Sequence, residues 1–425
     1  MRPASAQSVS FGKPTNGIGY LPSVDMAALY FLMAAVALAP MNYLRVDFVY
    51  FTLSDFFFVL AGFVMLAAGQ LPVKIFGPAS GFWYSSFLFF TGGLTIGSLI
   101  NGDPTELLTV FVQYFFSLIV LPILIGNRSF DQIVLLMKAF IIGMGIVVLF
   151  GIHAINFMED PTHRFVSANG RMLSLVERAN ECALMLAMAI VFLLSLILQK
   201  QSSRIWGLIG LPILFYGVIL TGSNSGLIVT IVGTVAIILS SGSPRHVVTL
   251  IVGTLIAVLV VLNFGELFLP EVFRERVLNA VLAGDISQAG TFSDRLFLLQ
   301  EAFEVSRGTL LIGLGANQYS LASEQGIVVH SAYLLTLSEG GLISLLGMVG
   351  FILASIYLAW MAISVGRSPS VGALTIVAML MYVVLLAGAT TFYARFWNVP
   401  FVLAIALSVS RLPVFGPTNT LRRMS

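Results

Sequence analysis

Charged residues are scarce in this 425-residue sequence: Asp, Glu, Lys and Arg make up only 9% of it, whereas 58% of the residues are hydrophobic. A soluble globular domain carries about 25% charged residues. A chain this apolar cannot cover its surface with polar groups, so we expect lipid to surround most of it. The small net charge of +2 also argues against a broad nucleic-acid surface.

Cysteine and cofactor motifs are also lacking. Cys182 is the only cysteine, so no disulfide can form within the chain. The sequence has no phosphate-binding P-loop, no nucleophile elbow and no group of side chains with metal-ligand spacing. Gly313-Leu314-Gly315 lacks the third glycine and the strand context of a dinucleotide fingerprint. We therefore expect neither a metal site nor a cofactor.

Long apolar runs dominate the rest of the chain. Each is about as long as a helix that crosses the hydrocarbon core of a bilayer, and none alternates as the strands of a membrane β-barrel do. The sequence thus predicts an all-α integral membrane protein with about twelve transmembrane helices. The apolar runs lie near 25–42, 49–69, 80–100, 106–126, 131–152, 180–198, 205–220, 223–240, 247–264, 337–363, 371–389 and 396–411.

Polar segments and basic residues predict how these helices are arranged. Placing both termini in the cytoplasm puts eleven Lys and Arg residues inside, as the positive-inside rule requires, and puts both long loops outside. The predicted parts are a cytoplasmic tail at 1–24, helices 1–9 at 25–264 with an outer loop near 153–179, a large outer loop at 265–336, helices 10–12 at 337–411, and a cytoplasmic tail at 412–425.

The predicted outer side bears nine arginines and no lysine. A guanidinium binds phosphate oxygens in pairs and stays charged, so these arginines suit a lipid-linked diphosphate. The alternative is pairing with outer carboxylates such as Glu159, Asp160, Glu271 and Glu275, which is the more common role for any single surface arginine. The arginines are Arg45, Arg164, Arg171, Arg178, Arg274, Arg276, Arg295, Arg307 and Arg395.

The large loop contains a predicted surface helix. Thr291 can cap its start, and Arg295 lies in its first turn. The apolar side chains that fall near one face at helical spacing are Leu296, Leu299, Ala302 and Phe303. We expect this helix to lie on the outer membrane surface, with Arg295 near its beginning.

His330 and Asp55 are the other candidate residues. His330 opens the tenth apolar run and shares a helix face with Tyr333, whereas Glu339 falls on the opposite face. A lone histidine at a helix start is more often structural than catalytic. Asp55 lies inside an apolar run near its outer end, where it either faces an outer cavity or caps a neighbouring helix.

The order of these features resembles the O-antigen ligase and O-antigen polymerase superfamily of bacterial inner membranes. The resemblance covers the whole topology, and the residues that match most specifically lie between about 177 and 345. Two departures stand out: Asn224 occupies a position that is usually arginine, and Ser331 one that is usually asparagine. The stretches that carry the resemblance are Glu177-Arg178-Ala179-Asn180-Glu181, Thr221-Gly222-Ser223-Asn224-Ser225-Gly226, Ser293-Asp294-Arg295, Gly313-Leu314-Gly315-Ala316-Asn317-Gln318-Tyr319, His330-Ser331-Ala332-Tyr333-Leu334 and Glu339-Gly340-Gly341.

The resemblance implies a GT-C-like, metal-independent membrane glycosyltransferase whose site faces the periplasm. Its donor would be a glycan on undecaprenyl diphosphate, transferred whole either to another lipid-linked glycan, by a polymerase, or to lipid A core, by a ligase. Membrane lipids and other polysaccharide assembly proteins are further expected partners, and nucleic acid is not. The sequence does not separate the polymerase from the ligase.

The same resemblance suggests a role for each candidate residue. Arg178 and Arg295, with Arg171 as a third, would bind the donor diphosphate. His330 and Arg295 would be the catalytic residues, with His330 acting as a base or only orienting the acceptor. The supporting residues would be Tyr333, Asn224 and Asp55.

Two other kinds of protein fit parts of this pattern. One is a transporter or flippase of lipid-linked saccharides, which we would expect to show internal repeats and charges deep in several spans. The sequence shows neither feature. The other is a non-catalytic component of a polysaccharide assembly complex, in which replacing Arg295 or His330 would have no effect.

Overall fold

The computed structural model describes residues 22–46, 51–158, 164–274, 292–388 and 395–413, and the chain is mostly helical. Two short antiparallel strands, β1 (Arg45–Val46) and β2 (Phe51–Thr52), precede the second helix. The helices are α1 (Pro22–Leu38), α2 (Leu53–Ala67), α3 (Ser80–Ile100), α4 (Pro104–Phe115), α5 (Leu121–Ile125), α6 (Phe130–Phe157), α7 (Ala179–Leu198), α8 (Arg204–Thr221), α9 (Asn224–Ser240), α10 (Pro244–Phe268), α11 (Glu271–Phe273), α12 (Phe292–Gly308), α13 (Tyr319–Ala322), α14 (Ala332–Ser364), α15 (Pro369–Leu386) and α16 (Arg395–Val409).

Seven of the helical segments described are long and apolar enough to cross a bilayer, and four further apolar helices are shorter. One of the seven joins α4 and α5 through a π-helical turn at Phe116–Val120. The chain is therefore a multi-pass, helical membrane protein, as the apolar runs predict. The number of crossings stays a prediction, because length and composition alone select these seven.

Helices α3 and α14 pack closely because glycines remove side chains from their interface. A Cβ on Gly97 would lie 2.8 Å from the Glu339 carbonyl oxygen, and one on Gly93 would collide with Gly340 and Ser344. The Ser344 hydroxyl donates a hydrogen bond of 2.6 Å to the carbonyl of Phe90 across this interface. The glycine-rich stretch that contains Gly92, Gly93 and Gly97 predicts close helix contacts, and the structure confirms them for Gly93 and Gly97.

For Gly92 the prediction of a close helix contact is wrong. Its Cβ position meets no atom within 4 Å, so this glycine faces away from the α14 interface. Adjacent residues on a helix point about 100° apart, and only one of the pair Gly92 and Gly93 can face a given neighbour.

Helix α14 begins at Ala332 and is broken at Gly341, whose φ of 66° and ψ of −170° are not helical. The preceding loop fills the break: the N–H of Leu342 donates to the Leu310 carbonyl at 2.8 Å, and the N–H of Gly315 donates to the Glu339 carbonyl at 2.8 Å. The apolar run near 337–363 therefore contains two helical pieces, and the second runs from 342 to 364.

Helix α12 exists as predicted, and part of its predicted apolar face is buried. Leu298 and Ala302 are buried, Leu299 is partly buried, and Phe303 is half exposed, with the Arg307 guanidinium 4.8 Å from its ring centroid. The periodicity groups Phe303 with Leu299 and Ala302 on one face, and of these three Phe303 is the one that stays half exposed. Helix α12 packs against α14. Thr291, the predicted cap, lies outside the described residues.

Replacing Gly93 with alanine should lower thermal stability in detergent, because a methyl group there overpacks the α3–α14 interface. Overpacking of a close interface costs about 1–3 kcal/mol. The matched control is Gly92→Ala, which adds the same atoms to open space and should leave the melting midpoint unchanged or slightly raised. Equal melting midpoints for the two variants would contradict the described packing.

Candidate functional site

The segment 164–178 folds back onto one end of the helix bundle. The N–H of Met172 donates to the carbonyl of Leu220 at the end of α8, at 2.9 Å. The N–H of Tyr43, which follows α1, donates to the carbonyl of Leu175 at 3.0 Å. These two bonds attach the segment to the end of α8 and to the turn after α1, and its last residues lead into α7.

Glu177 holds the end of this segment in an unusual conformation. Its φ is 89°, in the region that side chains other than glycine rarely adopt. Its carboxylate accepts hydrogen bonds from Asn42 Nδ2 at 2.6 Å and from Arg45 Nη2 at 3.1 Å. Burial raises the pKa of the nearby Tyr43 phenol, and the Glu177 charge adds to this. The ion pair therefore maintains a strained turn immediately before Arg178.

Arg178 occupies the N-cap position of α7, and its side chain is 63% exposed. Its closest charged partner among the described residues is Glu181, with Nη1 3.6 Å from Oε1. That distance is too long for a good hydrogen bond. Glu177 bonds Arg45 instead, so within the described part of the chain the Arg178 guanidinium retains most of its donors.

Arg171 uses more of its hydrogen-bond donors within the protein than Arg178 does. Its Nε donates to the Thr221 carbonyl at 2.8 Å, and its Nη2 donates to Asn180 Oδ1 at 2.6 Å. Asn180 Oδ1 also accepts from the Ser223 hydroxyl at 2.9 Å, and Ser223 caps α9. Arg171 thus connects the α8–α9 turn to the first turn of α7.

These elements enclose a cavity of about 280 Å³ at the end of the bundle. Its walls come from segment 164–178, the first turns of α7 and α9, His330 ahead of α14, the end of α15 and the start of α16. The polar lining residues are Arg171, Glu177, Arg178, Asn180, Glu181, Ser225 and His330. The apolar lining residues are Leu173, Ala179, Leu184, Val229, Val384, Leu385 and Trp397, together with Gly388.

His330 lies at this cavity, just before α14, although the sequence alone favoured a structural role. Tyr333 connects α14 to α15, since its hydroxyl donates to the carbonyl of Val383 in α15 at 2.9 Å. Glu339 does not line the cavity. Its carboxylate accepts from the N–H of Tyr319 at 3.2 Å and so stabilises the turn that follows Gly315.

The remaining candidates divide into three cases. Asn224 begins α9 beside the lining residue Ser225, but it is not itself a lining residue. Asp55 caps its own helix α2, by accepting from the Thr52 N–H at 2.8 Å. Arg295 lies in the first turn of α12, and its side chain is outside the described part of the structure, so its role stays a prediction.

Glu181 is one of the polar cavity residues for which the sequence pattern predicts no role. Its side chain is only 12% exposed and lies beside Arg178. The signal was present in the stretch Glu177-Arg178-Ala179-Asn180-Glu181, where only the arginine was given a role. A carboxylate three residues after an arginine at a helix start must fall on the same side of the first turn.

The arrangement suits an anion next to apolar groups. The N-termini of α7 and α9 meet at the cavity, and helix N-termini offer N–H donors and a partial positive charge. Arg178 adds a full charge. Within the described residues, no group of three or more His, Cys, Asp or Glu side chains is placed to hold a metal ion.

The comparison with protein families agrees with the resemblance seen in the sequence. A family described as O-Antigen ligase matches residues 209–349. The matched stretch runs from α8 to α14 and includes the α8–α9 turn and His330. It supports a membrane function of the O-antigen ligase or polymerase type. No curated protein matches the chain.

Replacing Arg45 with methionine should destabilise the protein, because the Glu177 carboxylate would lose a charged partner at a strained turn. Removing one member of a partly buried pair costs about 1–3 kcal/mol. Thermal melting of Arg45→Met, Glu177→Gln and the double variant tests the coupling. The two single changes should not add in the double variant, and full additivity would show that the pair does not act as a unit.

Proposed function

We propose, from the O-antigen ligase match over residues 209–349 and from the cavity that Arg178 and His330 share, that this protein is a membrane glycosyltransferase. It transfers a glycan whole from undecaprenyl diphosphate, at the periplasmic face of the bacterial inner membrane. The product is a longer lipid-linked chain or a glycan on lipid A core. The shared cavity is the single observation that carries this proposal.

Arg178 is the main donor-binding group in this proposal. When the glycosidic bond to the diphosphate breaks, negative charge collects on the leaving oxygen. A guanidinium already in place stabilises that charge without reorganising, which is where much of an enzyme's rate enhancement arises. The N-termini of α7 and α9 add partial positive charge at the same place. No metal is needed to neutralise the diphosphate in this arrangement.

Arg171 and Arg295 contribute differently. The bonds from Arg171 to Thr221 and Asn180 fix the shape of the phosphate site, so Arg171 acts mainly by positioning α7 against α9. Arg295, at the start of α12, is proposed as the second guanidinium at the leaving group. Asn224 begins α9 where the family usually has arginine, and Arg178 brings a charge to that neighbourhood from α7.

His330 is the proposed acceptor of the proton. The acceptor hydroxyl oxygen attacks the anomeric carbon of the donor, the bond to the diphosphate breaks, and the hydroxyl proton passes to the imidazole. General base catalysis of this kind contributes about 10²–10⁴ in rate. Glu181 remains beside Arg178 and orients its guanidinium toward the diphosphate.

The apolar side of the cavity supports a lipid-linked donor over a soluble one. Leu184, Val229, Leu385 and Trp397 line both this cavity and a small apolar crevice that extends deeper between α7, α9, α15 and α16. A diphosphate held by Arg178 would therefore place its lipid chain against an apolar wall. A soluble nucleotide sugar has no use for such a wall.

The membrane arrangement belongs to the same proposal. We place twelve helices across the bilayer, both termini in the cytoplasm and the cavity on the periplasmic side. The large loop then covers 265–336, and the smaller one lies near 153–179. Arg178, at the start of α7, and His330, before α14, come from these two loops.

Replacing Arg178 with alanine should lower glycan transfer about 10²–10³-fold, because a preorganised donor at the leaving group is lost. The matched control is Arg307→Ala. Arg307 is 64% exposed, close to the 63% of Arg178, and each pairs with a glutamate one turn away. Transfer would be measured with purified protein and an undecaprenyl diphosphate-linked repeat unit. If both variants lose glycan transfer equally, Arg178 does not have the proposed role of binding the donor diphosphate.

Replacing His330 with alanine should lower the transfer rate by about 10²–10⁴, since the proton acceptor is removed. Glu181→Gln keeps the shape of that side chain and should cause a smaller loss. The melting midpoint of each variant shows that it is folded. A larger loss in folded Glu181→Gln than in folded His330→Ala would move the base role to Glu181.

The acceptor is tested in the same assay. Product ladders from the lipid-linked repeat unit alone would establish a polymerase, and transfer only after lipid A core is added would establish a ligase. No transfer to either acceptor, with flipping of the substrate in liposomes, would overturn the enzyme and leave a transporter.

A further inference from the structure

A short apolar segment outside the predicted spans is exposed beside two long helices. Leu310, Leu311 and Ile312 follow α12, and Leu311 is 70% exposed. In a soluble protein, three consecutive exposed apolar residues are unusual and mark an interaction surface. The neighbours of this segment identify what covers it.

The first neighbour is α14. The N–H of Leu342 donates to the Leu310 carbonyl at 2.8 Å, so this segment lies level with the start of the second piece of α14. From Leu342 to Ser364 that piece is about 34 Å long at 1.5 Å per residue, close to the thickness of the hydrocarbon core. Its exposed side chains follow one stripe at helical spacing, beginning at Leu342 and continuing through Leu346, Val349 and Leu353.

The second neighbour is α3. Asn101, just after this helix, donates through Nδ2 to the Gly313 carbonyl at 3.0 Å. The last residues of α3, Leu99 and Ile100, are exposed and apolar. Two membrane helices of the bundle thus end at the level of 310–313, each with apolar side chains that face outward up to its end.

We propose that Leu310, Leu311 and Ile312 insert into the bilayer, at the boundary between the headgroups and the acyl chains. The lipid-facing stripes of α3 and α14 continue into this segment without a break, so a bilayer that covers the stripes covers the segment too. One turn earlier, Arg307 and Glu304 form an exposed ion pair, which suits the headgroup side of such a boundary.

The insertion gives the loop a fixed depth. Helix α12, whose first turn holds Arg295, ends directly before the segment, and the Gly313–Tyr319 turn that Glu339 stabilises directly follows it. A membrane anchor at 310–312 holds both parts at the height of the helix ends. The inference rests on the membrane placement and does not depend on the proposed chemistry.

Fluorescence quenching by lipids tests the insertion directly. Leu311→Cys would be labelled with the polarity-sensitive fluorophore NBD in the full-length protein, reconstituted in nanodiscs with one copy each. Cys182 is fully buried, so wild-type protein measures the background labelling. Gln325→Cys, at an exposed polar position of the same loop, is the control, and Leu353→Cys, about 16 Å deeper along α14, is the deep reference.

We expect the fluorophore at 311 to emit at shorter wavelength than at 325 and to be quenched several-fold more strongly by lipids with a nitroxide near the carbonyl groups. At 353, quenching should be stronger from a nitroxide near the middle of the acyl chain. If the label at 311 is quenched no more than the label at 325, the proposal is wrong. A blue-shifted but unquenched label at 311 would also overturn it, because protein would then cover the segment.

Discussion

A backbone that crosses the hydrocarbon core has no water to satisfy its N–H and C=O groups, so each crossing segment must satisfy them within a helix. In this chain that constraint decides where polar chemistry can occur. The space between the helices is filled by apolar side chains and by hydroxyl groups. These hydroxyls bond the backbone of their own or a neighbouring helix, as Ser344 does with Phe90. Charged and polar ligands for a substrate are left at helix ends, where N–H groups lack intrahelical partners.

The candidate site is built from such ends, and one ion pair organises it. Glu177 accepts from Arg45 and Asn42, which connects the α1–α2 turn to the start of α7 and holds a residue at positive φ. The strain is offset by these charge-assisted bonds. Its effect is a division of roles among the arginines: Arg45 and Arg171 hold the structure, whereas Arg178 is presented to the cavity.

The arginine pattern indicated a phosphate site on the outer side, but it could not tell which arginines bind a ligand and which form ion pairs. Nine arginines on the predicted outer side suggested a phosphate ligand, and ion pairing was the alternative for any one of them. In the described residues some of these arginines form ion pairs, whereas a phosphate-binding role for Arg178 stays a prediction. Arg45 and Arg307 pair with carboxylates, Arg164 lies 5.7 Å from the ring centroid of Tyr43, and Arg178 lines the cavity. Local sequence cannot separate these cases, because partners such as Arg45 and Glu177 are far apart in the chain.

Apolar run length determined the helical membrane class and the approximate position of each helix, since both follow from local backbone chemistry and a fixed bilayer thickness. The stretches around Arg178 and His330 could also be recognised, because helix-start motifs are local. Tertiary structure decided the rest. It turned Gly93 and not Gly92 toward α14, exposed Phe303, and brought Arg178, Glu181 and His330 to one cavity. Which face of a helix meets a neighbour depends on residues more than a hundred positions away, and no local pattern contains that information.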